Sequence, residues 1–100
     1  MMKLWVDDVR PAPEGYKWCK TTDQTIDLIR HLCRCGTEIE ILDIDHDAGD
    51  FVRFGGDYIR ILDWLEETGR NYPIRIHSMN VVGVANMRAI IQRNGWKEIR

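Results

Sequence analysis

Residues 39–47 read IEILDIDHD, and the fold turns on how that stretch is taken. Ile39 to Ile44 is a near-continuous apolar run, interrupted only by Glu40 and Asp43, which is the pattern of a strand buried within a parallel sheet. It ends abruptly on Asp45, His46 and Asp47, so a cluster of titratable groups stands at the strand's C-terminal end. The polar, glycine-containing stretch from Asp45 to Gly56 that follows reads as the connection to the next helix.

The same alternation extends in both directions. Residues 3–6 (KLWV) read as a short strand, and the Pro-rich RPAPEG after it cannot form a regular helix. Residues 16–20 (YKWCK) read as a second strand. A helix over 23–35 follows, with Thr22 as its cap, Ile26, Ile29, Leu32 and Cys33 at helical spacing, and Gly36 as its stop. Beyond the central strand, Tyr58, Leu62 and Leu65 form the stripe of a helix over 57–68 ended by Gly69. IRIHS (74–78) is a further strand. Val84, Met87, Ile90 and Ile91 mark a last helix over 82–93 closed by Asn94-Gly95, and WKEI is left as a short edge strand. Strands alternating with helices imply one α/β domain over 1–100, its parallel sheet covered on both faces.

Composition narrows the function classes. Hydrophobic residues at 44% and charged residues at 30% are an ordinary globular balance. The formal charge of −2 offers no broad attraction to duplex nucleic acid or to an anionic membrane. No apolar run approaches the ~18 residues of a membrane span and no signal-peptide core is present, so a cytoplasmic protein is expected. Cys19, Cys33 and Cys35 lack zinc-site spacing and are read as reduced thiols, with His31 on the surface.

In a parallel sheet, ligands bind beyond the C-terminal strand ends. Asp7 and Asp8 follow the first strand, Asp45, His46 and Asp47 the third, and His77, Ser78 and Asn80 the fourth. Asp7, Asp8, Asp45 and Asp47 crowded together would raise one another's pKa values unless a cation compensates, and hard oxygen donors suit Mg²⁺ or another divalent cation. His46 and His77 can divide general-base and general-acid roles near neutral pH. Arg10, Asn80, Asn86 and Arg88 are candidate anion binders, the latter two on a helix whose N-terminus points to the same edge. The glycines at 49, 55 and 56 form no P-loop, since no GK[ST] follows.

LWVDD, ILDIDHD and PIRIHS with helices between them resemble a receiver domain, the phosphoacceptor module of two-component systems. That resemblance implies a flavodoxin-like three-layer fold with sheet order 2-1-3-4-5. It also implies Mg²⁺ on Asp7, Asp8 and Asp45, and Ser78 against a phosphoryl group. RPAPEGY replaces the first receiver helix, and the lysine expected after the fifth strand has no counterpart, Lys97 lacking the following proline. LWVDDVRP, IDHDAG, GGDYI and IHSMNVVGVANM together resemble more closely the small bacterial cyclic-phosphate processing receiver domains, over nearly the whole chain. The implied activity is phosphoester cleavage of cyclic phosphates on nucleotides or RNA ends, with catalysis by His46, His77 and Asp45. The alternative is an inactive receiver-like module that binds a phosphorylated ligand or a protein partner. Ala48 and Asp43 are departures expected to lie away from the site.

Overall fold

A computed structural model describes all residues 1–100. Four strands, β1 (Met2–Val6), β2 (Tyr16–Cys19), β3 (Ile39–Ile44) and β4 (Ile74–Ile76), form one all-parallel sheet in the order β2-β1-β3-β4. The helices are α1 (Thr22–Arg34), α2 (Ile59–Thr68) and α3 (Val81–Asn94). The receiver-like α/β class and the order of these four strands match the expectation. Leu4 and Val6 of β1, Leu42 and Ile44 of β3 and Ile74 of β4 face a single core with Ile29, Leu32, Ile61, Leu62, Leu65, Met87, Ile90 and Ile91 of the helices.

Local chemistry sets the boundaries. Thr21, one residue earlier than expected, caps α1: its side chain accepts the Gln24 N–H. Thr22 is instead buried inside the helix, its hydroxyl donating to the Gly56 carbonyl. Gly69 and Gly95 end α2 and α3 in the left-handed conformation that L-residues avoid.

Two details differ from the expectation. The tail forms no fifth strand: Glu98 makes one isolated parallel bridge to Ile74, where Ile74 donates to the Lys97 carbonyl and Ile99 donates to the Ile74 carbonyl. Helices also line one face only. The steps β2 to β3, β3 to β4 and β4 to the tail all run the same way across the sheet, so right-handed crossovers put α1, α2 and α3 in one row, with α2 touching both neighbours. Only the step from β1 to β2 runs the other way, and the Pro-rich segment there is not helical. The opposite face therefore carries Trp5, Tyr16, Asp43 and Arg75 without a helix over them, and Ile41 is the one buried apolar residue outside the core cluster.

Candidate functional site

Register converges the site. Val6, Ile44 and Ile76 are aligned across β1, β3 and β4. The next residues along these three strands are Asp7, Asp45 and His77. Backbone bonds continue the ladders one step further: Asp7 N–H donates to Cys19, Asp45 N–H to Val6, and His77 N–H to Ile44. Three chain segments thus deliver two carboxylates and an imidazole to one point, and their ligand atoms lie within 4.8 Å of one another.

Asp7 is fully buried. One carboxylate oxygen accepts the N–H groups of Val9 (3.0 Å) and Arg10 (2.9 Å), and the other lies 3.0 Å from His77 Nε2. Burial pushes this carboxyl up, but those donors outweigh it and hold it below the ordinary aspartate value. His77 Nδ1 is 2.6 Å from Asp43, and the ring stacks on Trp5 at 3.8 Å with the planes 5° apart. Each ring nitrogen of His77 therefore faces a carboxylate. Asp43, 2% exposed, is also paired with Arg75 at 3.2 Å. The sequence reading put Asp43 away from the site; it is in fact one bond from it. Asp43 pairs with Trp5 and Arg75 in register on the helix-free face, directly beneath His77.

Asp8 completes the acidic group. Its carboxyl is raised by burial and by the like charges of Asp7 and Asp45. It presses so closely on Gly49 that a Cβ there would collide with the Asp8 carboxylate, and Gly49 has φ +55°. Asp45 accepts the His46 N–H at 2.7 Å. Beneath these acids the Tyr58 hydroxyl is held protonated by burial and their negative field, and it donates to the Lys20 carbonyl at 2.7 Å.

His46 forms a second arm. Its Nδ1 lies 2.9 Å from Asp47, whose carboxyl is held down by that contact and by Asn80. Asn80 caps α3, accepting the Gly83 N–H, and its amide donates to Asp47. The His46 ring lies flat against Gly83: a Cβ there would fall 2.5 Å from Cγ and 2.6 Å from Cδ2. Only Nδ1 of this ring has hydrogen-bond partners. Asp47, expected among the metal-binding acids, stands with His46 and Asp57 as a separate donor group.

The remaining candidates divide. Arg10 folds back across the edge, its guanidinium donating to the His77 carbonyl at 3.2 Å. Ser78 accepts the Asn80 N–H and lines, with Ile76, Val81, Val84, Ala85 and Arg88, an open cleft of about 480 Å³ beside β4 and α3. Arg88 is tied to Glu98 at 2.8 Å, so it anchors the tail and does not reach the acids. Asn86 is exposed on the second turn of α3. Lys97 sits beside Ile74, at the opposite end of the sheet from His77.

Sequence reasoning missed Asp43, Trp5, Arg75, Asp57 and the two glycines. An acid flanked by Leu42 and Ile44 in a central strand was the available signal, because a buried charge demands a partner. The donor set fits a divalent cation: clustered ligand atoms, and an Asp8 carboxyl raised by burial and by like charge that a cation would offset.

A parallel α/β sheet with acids and histidines on its C-terminal strand ends defines a receiver-like class of protein. The model of the cyclic-phosphate processing receiver domain matches residues 2–93, and the chain belongs to that family. Neither the search of curated proteins nor that of solved structures returned a match. The family's description assigns it a role in cyclic-phosphate processing. No helix is long and apolar enough to cross a membrane.

Proposed function

We propose that the domain is a phosphoesterase that opens cyclic phosphates of nucleotides or of RNA ends. The observation that carries this reading is the pairing of two unlike arms at one sheet edge: a convergent acidic group, and a histidine oriented by its own carboxylate. A divalent cation on Asp7, Asp8 and Asp45 would supply Lewis-acid stabilisation to a phosphate oxygen. Asp47 holds His46 through Nδ1, which presents Nε2 for general acid–base work. His77, with a carboxylate on each ring nitrogen, serves better to hold Asp7 than to exchange protons with substrate. Arg10, beside the His77 carbonyl, would supply a cation for the phosphate, and Ser78 offers a hydroxyl at the same edge.

The test is turnover of 2′,3′-cyclic and 3′,5′-cyclic nucleotides and of RNA ending in a 2′,3′-cyclic phosphate, with and without Mg²⁺. His46→Ala should lower the rate by about 10²–10⁴-fold, the usual contribution of a positioned acid–base group. Tight binding without product under every condition removes the enzyme reading.

One observation favours a binding module instead. Apart from Met1, every exposed large apolar side chain (Val9, Val52, Phe54, Met79, Val81, Val82) lies in the three segments that leave β1, β3 and β4 at the site. Such a collar marks a docking surface as readily as a nucleoside pocket. Ligand retention without turnover, together with complex formation lost on Val82→Asp, would support this reading.

A further inference from the structure

His77 is the only nitrogen donor in the Asp7–Asp45–His77 group, and two independent contacts fix its ring. Asp43 takes Nδ1 at 2.6 Å, Trp5 covers one face at 3.8 Å, and the side chain is 8% exposed. Arg75 in turn holds Asp43, contacting both of its oxygens. A carboxylate on one ring nitrogen sets the tautomer and aims the other nitrogen, which is how histidines are prepared to bind metals. Here the aimed nitrogen is Nε2, and it points at Asp7. The separation between Nε2 and the Asp7 oxygen is 3.0 Å, a hydrogen-bond distance. It is also the spacing of two neighbouring ligand atoms on a cation with bonds of about 2.1 Å, where right-angle geometry gives about 3.0 Å.

We infer that Asp43 is a positioning residue that presents His77 Nε2 as a nitrogen ligand, so that this centre takes a transition-metal cation such as Mn²⁺ in preference to Mg²⁺. The inference rests on the acidic group holding a cation, and it adds the identity of the donor atoms and hence of the metal class. Mg²⁺ demands oxygen ligands, whereas imidazole nitrogen favours first-row transition metals. Asp43 touches neither substrate nor cation. It acts through the imidazole, with Trp5 and Arg75 preventing the ring from turning away.

The experiment needs no substrate. Metal-free protein is titrated with Mn²⁺ while the free-ion electron paramagnetic resonance signal is followed, with Mg²⁺ as competitor, and the bound Mn²⁺ is examined by electron spin echo for ¹⁴N modulation. The wild type should show ¹⁴N modulation, and His77→Gln should abolish it. His31→Ala and His46→Ala should retain it. Asp43→Asn should weaken Mn²⁺ by about 10–100-fold, the usual effect of losing a partner that orients a ligand, while leaving Mg²⁺ affinity within about threefold.

Bound Mn²⁺ without ¹⁴N modulation overturns the inference, as does an equal loss of Mn²⁺ and Mg²⁺ in Asp43→Asn, or no binding of either ion. Should Asp43→Asn fail to fold by circular dichroism, the His77→Gln comparison decides alone. Cyclic-phosphate turnover without nitrogen-ligated Mn²⁺ would leave the phosphoesterase reading standing and remove this one. Nitrogen-ligated Mn²⁺ without turnover would do the reverse.

Discussion

Gly83 shows how a residue can matter by what it lacks. It lies inside α3, where alanine would ordinarily favour the helix by about 1 kcal/mol. Its missing side chain is what lets the His46 ring lie flat on the first turn. Gly83→Ala should therefore leave thermal stability within about 1 kcal/mol of wild type, because the helix gain offsets the local crowding. Activity should fall by about 10²-fold, the scale expected when a catalytic group is displaced by an ångström. Equal loss of stability and activity would show that the glycine serves packing only. At this scale the sequence disclosed Asp7, Asp8, Asp45, His46 and His77, because polar residues that end apolar strands announce themselves. It concealed Asp43, since an acid within a strand taken to be buried on both faces looks like an interruption. Cross-strand register with Trp5 and Arg75 is what makes it part of the site, and register is not written in one strand.

The helices were legible from their periodicity and caps, whereas the contacts between them were not. α2 and α3 are clamped by Glu66, whose carboxylate receives two guanidinium N–H groups of Arg93 at 2.8 Å each and the Asn94 amide. Arg93 and Asn94 hold the Glu66 carboxyl down to about 2 from an ordinary 4.5. A carboxyl depressed on folding contributes stability above its unfolded value, and that contribution fades as pH falls through the folded value. Glu66→Gln should thus melt below wild type at neutral pH, and the difference should close as pH falls from about 4.5 to about 2. Because the clamp is open to solvent, about 1 M salt should narrow the neutral-pH difference as well. A gap unchanged across this range would assign the effect to packing. The tail escaped its expected place as a fifth strand because WKEI offers two ladder bonds to Ile74, and Arg88 anchors it through Glu98.

For the molecule as a whole, strand order was readable, but the layering followed from a rule of handedness applied to that order. Once β2 stands beside β1 and every helical connection steps the other way, all three helices share a face. The helix-free face then receives the charged and aromatic support of the site, and the core lies on the other side. Within the acidic edge, Asp8 is the carboxyl that weakens the fold. Asp8 is raised by burial and by Asp7 and Asp45, so the folded chain binds that proton more tightly than the unfolded chain does. Stability must then fall as pH rises above the ordinary aspartate value of 3.8 through the raised one. Asp8→Asn removes this penalty. In metal-free buffer at pH 7 it should melt above wild type, and the advantage should vanish at acid pH where Asp8 is protonated in both states. Cation binding reverses the order. At a hundredfold excess over Kd, a ligand bound only by the folded state adds about 2.7 kcal/mol. In a domain of this size each kcal/mol moves Tm by about 4–8 °C. Wild type should gain that full rise with saturating Mn²⁺, and Asp8→Asn much less of it, so that the two melting curves cross as metal is added. Parallel shifts in the two proteins would mean that Asp8 neither strains the fold nor holds the ion.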